Sequence, residues 1–127
     1  MNYTLDLEGR TAVVRCWREF AFDDAIGVFR DILAAEWRSE MRDVLVLDEG
    51  SAFSPTREGI RELTGLMDEA VSKEGARIAI VVSRIVHYGI GRIIEARYPH
   101  AGMVRVFLRE EAARQWLESG KYEEAVR

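Results

Sequence analysis

Arg84, Tyr88 and Arg92 recur at intervals of four, with His87 beside them. On a helix that spacing sets all three on one face. Two guanidiniums and a phenol can hold a phosphate or a carboxylate. A solvated polar helix face accounts for the same residues. Asp48 and Glu49 form a pair of adjacent acids after an apolar run. Paired carboxylates serve acid–base chemistry when a histidine or a metal cluster accompanies them. None stands near in the sequence, so electrostatic balance of nearby arginines is the plainer role. His87 and His100 have no second His, Cys or carboxylate at ligand spacing. The sequence therefore predicts no metal site and no cofactor.

Nucleophilic catalysis needs a hydroxyl or thiol with a base in reach. Cys16 lies inside an apolar, β-branched stretch and reads as a small buried hydrophobe. Ser51, Ser54 and Ser83 follow apolar runs, but no G-x-S-x-G elbow surrounds them. Gly89-Ile90-Gly91 lies within a helical pattern rather than between strand and helix, so it fails as a dinucleotide motif. Close helix packing explains it, with a flexible gate over a cavity as the functional alternative. No catalytic residue is predicted.

These residues need a scaffold. The chain has 127 residues, 48% of them hydrophobic, with two prolines and one cysteine. That predicts one compact domain with its own core and no intrachain disulfide. The net charge of −4 argues against nucleic acid as a general partner. Residues 75–109 hold six arginines and one acid, whereas residues 1–74 hold nine basic and sixteen acidic residues. Such a basic island attracts anions unless its arginines pair within the fold. No apolar run is long enough to cross a bilayer, and the start lacks the basic and apolar regions of a signal peptide. The expectation is a cytoplasmic protein that is not an integral membrane protein.

Tyr3, Leu5 and Leu7 alternate with polar residues and read as a half-buried strand. After Gly9-Arg10, Thr11–Trp17 reads as its hairpin partner. From Phe22 to about Trp37 the period becomes helical. Val44–Leu47 and Ile78–Val82 are apolar throughout, as strands covered on both faces are. Between them Ser54 reads as an N-cap with Pro55 at the first helical position, and Gly75 as the C-cap. Ile85–Tyr98 reads as a third helix with a core stripe of Val86, Ile90, Ile93 and Ile94. Val104–Leu108 is a last strand. Glu110–Ser119 is a last helix, with Ala113, Trp116 and Leu117 inward. The order β-β-α-β-α-β-α-β-α predicts an α/β fold: a mixed five-stranded sheet with an N-terminal antiparallel hairpin and a parallel remainder. Residues 1–120 make the domain and 121–127 a tail.

This order, the opening hairpin and the joint VLVLDEGSAFSPTREGIREL resemble the STAS domains, the anti-sigma-factor-antagonist fold. The chain is most similar to their STAS-like (SpoIIAA-like) offshoot of unknown function, which is grouped with the CRAL-TRIO lipid-binding fold. The resemblance spans roughly residues 2–119. In regulatory STAS domains an Asp-Ser pair opens the second helix, and the serine is phosphorylated. Here Ser54 and Pro55 stand at those places, so Ser54 or Thr56 becomes an acceptor only through a shift of register.

The sequence thus predicts a non-catalytic STAS-like binding or regulatory module, acting through a protein partner or self-association. Two strands apolar on both faces require a cover for the second face. A displaced helix, a second subunit or an apolar ligand would serve, and a homodimer is expected. The alternative, implied by the CRAL-TRIO relatives, is binding of a lipid or small anionic molecule. Its contacts would be Arg84, His87, Tyr88, Arg92 and the Asp48–Thr56 loop. A small hydrolase or transferase is the third reading.

Overall fold

The computed structural model describes residues 2–17, 19–49, 55–71 and 73–119. Five strands form one sheet: β1 (Tyr3–Glu8), β2 (Thr11–Cys16), β3 (Asp43–Asp48), β4 (Ile78–Val82) and β5 (Val104–Phe107). They lie in sequence order. β1 and β2 pair antiparallel, and every later pair is parallel. The hairpin turns at Gly9, whose φ of 65° suits a residue without a Cβ.

Four helices follow the strands: α1 (Phe22–Ala34), α2 (Arg57–Ala70), α3 (Ile85–Arg97) and α4 (Glu110–Ser119). α1, α2 and α3 connect parallel neighbours in a sheet that grows in one direction. Right-handed crossovers then put all three on one face. Their Ile26, Phe29, Leu63, Met67 and Ile94 share a core with Val14, Val44, Ile78 and Val104 of the sheet. The opposite face carries Val13, Leu45, Leu47, Ala79 and Phe107, and α4 covers it with Ala113, Trp116 and Leu117. α4 follows the last strand and connects to no further one, so no crossover rule confines it. A displaced helix, and not a second subunit, therefore covers the second face. The sequence argument for a homodimer loses its ground.

Side chains at the amino end of the sheet anchor α4. Arg77 donates to the carbonyls of Trp116 and Leu117 and lies over the Trp116 ring at 5.7 Å. Arginines suit the carbonyl end of a helix. Asp43, 2% exposed, accepts the Arg77 backbone N–H at 3.0 Å and an Arg42 guanidinium N–H at 2.8 Å. The buried carboxylate is thus paired and hydrogen-bonded.

The helix limits differ from the sequence reading at several points. α1 stops at Ala34, because Ala35 is extended and a short 3-10 turn at Arg38–Glu40 leads into β3. Trp37 packs beside the core from that turn rather than from the helix. The cap of α2 is Thr56, whose hydroxyl accepts the Gly59 N–H at 2.9 Å. Ser54 lies outside the described residues. α2 ends at Ala70, so Gly75 is not its C-cap. With a φ of 77°, Gly75 instead turns the chain before β4. The buried stripe of α3 is His87, Gly91 and Ile94, while Val86 and Ile93 face outward. Gly91 is the buried glycine of α3 and faces Val106 of β5. A Cβ there would stand 2.5 Å from Val106 Cγ2.

Candidate functional site

A cavity of about 60 Å³ lies between the sheet and α1–α3. Phe22 and Phe29 of α1, Leu63 and Met67 of α2, and Val46 and Ile80 of the sheet contribute to its walls. Among its described lining residues two side chains are polar, Asp48 and His87. Asp48 is the last residue of β3, and His87 sits in the first turn of α3. Both elements end or begin at the carboxyl edge of the parallel strands. Open α/β sheets place ligands at that edge.

Asp48 Oδ2 and His87 Nδ1 are 3.7 Å apart, and each side chain is 5% exposed. The separation is too long for a hydrogen bond. The cavity surface is almost wholly apolar, with Asp48 and His87 among the lining residues. Its volume is well below the ~300 Å³ where ligand pockets usually begin. As it stands, the space is too small for a whole lipid.

The residues expected to form one cluster are divided. Asp48 and His87 meet in the cavity. Arg84, Tyr88 and Arg92 are not among its lining residues. Arg84 is exposed at the N-cap of α3, and Tyr88 is half-buried. Arg92 pairs with Glu95 at 3.9 Å. Much of the basic island is paired in the same way: Arg105 with Glu95, Arg109 with Glu111 and Arg77 with the end of α4. Thr56 uses its hydroxyl to cap α2. His100 pairs with Asp68 at 2.9 Å, away from the cavity.

Cys16 is fully buried beside the end of β3. Burial first, then the charges of Asp48, Asp24 and Glu49, push its thiol well above the ordinary range. A nucleophilic cysteine needs the opposite shift. The sequence reading put Asp48 and His87 in one candidate site, but their direct contact joins residues 39 positions apart and is not legible in it. The available signal was that both close the same sheet edge. Phe20, Phe22 and Phe29, which also line the cavity, read simply as core positions.

No family model matches the chain, and no curated protein does. Among solved structures it is similar to one named, provisionally, as an enoyl CoA hydratase/isomerase (crotonase) from Legionella pneumophila subsp. pneumophila str. Philadelphia 1. The identity is 12% and the TM-score 0.45, over 98% of this chain and 64% of that one. This chain thus spans less than two thirds of its neighbour, and a likeness of that degree carries no weight for fold or activity. Among the described residues, no helix is long and apolar enough to cross a membrane.

Proposed function

We propose that this domain is a non-catalytic binding module that takes a small apolar group into the cavity between the sheet and α1–α3. The observation that carries the reading is a cavity with almost wholly apolar walls, lined in part by residues at the carboxyl edge of parallel strands, Asp48 and His87 among them. The element order is the one that the STAS-like resemblance implies. Ligand binding corresponds to the alternative taken from the CRAL-TRIO relatives. Against the hydrolase reading, the pushed-up Cys16 thiol is a poor nucleophile. Native mass spectrometry of freshly purified chain, with a thermal-shift screen of short alkyl compounds, tests the proposal. A carried-over small molecule, or stabilisation lost on Val82→Ile inside the cavity, is the expected result. A bare mass with no stabilisation by any compound would sink it.

A second reading rests on the outer face of α3. Ile85, Val86 and Ile93 are 73%, 65% and 45% exposed, with Arg84, Arg92 and Arg97 among them. A surface that is both apolar and basic suits an acidic protein partner. Self-association there is less favoured. Two copies of α3 crossing at their middles on a two-fold axis would bring Arg92 against its own mate. Light scattering at tens of micromolar decides between a monomer and the homodimer expected from sequence.

A further inference from the structure

The two edges of the sheet, β1 and β5, are finished differently. β5 has four residues, and its Val106 backbone N–H donates to Glu95 Oε2 at 3.1 Å. A side chain thus occupies a backbone donor of that edge. β1 has six residues. In an antiparallel ladder, hydrogen-bonded and non-hydrogen-bonded pairs alternate. The Trp17 N–H donates to the Asn2 carbonyl at 3.0 Å, so Thr4, Asp6 and Glu8 also turn their backbone groups toward β2. Those of Tyr3, Leu5 and Leu7 turn outward, and they meet no hydrogen-bond partner among the described residues. The same three side chains are only half-buried beside the core. A proline, a bulge or an inward-pointing charge blunts an open edge against a further strand. β1 has none of these.

We infer that a second copy of this chain pairs with β1, edge to edge and antiparallel, in the register centred on Leu5. The charges of the strand select that register. With Leu5 opposite Leu5 of the second copy, Tyr3 meets Leu7, Thr4 meets Asp6 and Asn2 meets Glu8. No acid then stands opposite an acid. Centring on Asp6 sets Asp6 against itself, and centring on Leu7 sets Asp6 against Glu8. Like charges directly opposite are destabilising. Centring on Thr4 or Tyr3 shortens the pairing. In the favoured register the outward N–H and C=O groups of Tyr3, Leu5 and Leu7 bond across the two-fold axis, and their half-buried side chains cover one another. The axis stands perpendicular to the sheet, so both helical layers share a face and the two sheets become continuous. This surface is separate from the cavity and from α3. It supplies a homodimer that needs no uncovered sheet face.

The test is sedimentation velocity of the full chain from tens to hundreds of micromolar, with amide exchange followed alongside. A monomer–dimer equilibrium is expected, with exchange of the Tyr3, Leu5 and Leu7 amides slowing as concentration rises. Thr4 is exposed and stands beside Arg15 of β2, so an acid there does not strain the single chain. In the dimer it meets Asp6 of the second copy, at a non-hydrogen-bonded pair where side chains come closest. Two-fold symmetry makes that contact occur twice. Thr4→Asp should therefore weaken the dimer about tenfold, and Thr4→Lys should tighten it. A strict monomer throughout the range overturns the proposal. So does a dimer that both variants leave unchanged, because its interface then lies elsewhere. Slow exchange of these three amides in a monomer also overturns it, because the chain then covers its own edge. Should a variant not fold, the concentration dependence of the wild-type amides decides alone.

Discussion

Gly91 of α3 lies directly against Val106 of β5, and a methyl group at position 91 would stand 2.5 Å from Val106 Cγ2. This contact sets the rotation of α3, turning His87 into the cavity and Ile93 out to solvent. Gly91→Ala should force the helix off the sheet and destabilise the fold by about 1–3 kcal/mol, as overpacking does. Gly89, two positions earlier, has nothing within 4 Å of a built Cβ. Gly89→Ala should stabilise by about 0.5–1 kcal/mol, the usual gain in a helix interior. Urea midpoints of the two variants check both signs. Equal shifts would mean that the Val106 contact does not govern α3.

Thr56→Ala removes the hydroxyl that accepts the Gly59 N–H. A loss of about 0.5–2 kcal/mol is expected in the same urea assay. The same substitution at Ser54 should cost less, because the cap of α2 is already assigned to Thr56. The reverse order would return the cap to Ser54.

How much of this was legible beforehand differs from element to element. The apolar runs Val44–Leu47 and Ile78–Val82 announced buried parallel strands, because a covered strand needs no polar face. α4 announced its inward residues by spacing. α3 misled, because it is apolar on two sides. Periodicity then cannot choose between Val86–Ile93 and His87–Ile94, and the close approach permitted by Gly91 decides. Asp48 and His87 were each noted, but their contact depends on two crossovers and on the rotation of α3. Local pattern carries none of that.

The Arg77–Trp116 contact predicts how α4 is held. Arg77→Ala loses the hydrogen bonds to the α4 carbonyls and the stacking on Trp116. A loss of about 1–3 kcal/mol is expected, since hydrogen bonds to charged groups contribute about 1.5–3 kcal/mol each at most. The near-ultraviolet signal of Trp116 should weaken, and α4 amides should exchange faster than those of α2. Uniform exchange across both helices would mean that α4 is held by its apolar face alone.

Tyr98 predicts behaviour in alkali. Burial first, then Asp68, raise its hydroxyl from the ordinary 10.0 to about 12. The folded state thus holds this proton more tightly than the unfolded state. The corresponding stability is fully present below pH 10 and is lost as pH rises toward 12. The loss should be on the order of 2 kcal/mol. Tyr3 is raised as well, beneath burial and Asp31, so the wild-type slope has more than one source. Tyr98→Phe isolates the part due to residue 98. Its stability should fall less than that of the wild-type chain between pH 10 and 12, measured by urea unfolding. Parallel curves would remove Tyr98 from the account.

Val82→Ile tests whether the cavity is a ligand site kept open at a cost in stability. Val82 ends β4, is 3% exposed and lines the cavity. The substitution adds one methylene where the structure has about 60 Å³ of free space, and isoleucine suits a strand as well as valine does. Filling the space should stabilise the domain by about 0.8 kcal/mol, the value of one buried methylene. Stabilising changes that cost function are expected where function needs an imperfectly packed site. The variant should therefore melt higher yet show weaker stabilisation by short alkyl compounds than the wild-type chain. A lower melting point would mean that the space near Val82 is already filled. A higher one with undiminished ligand response would place the binding site elsewhere in the fold.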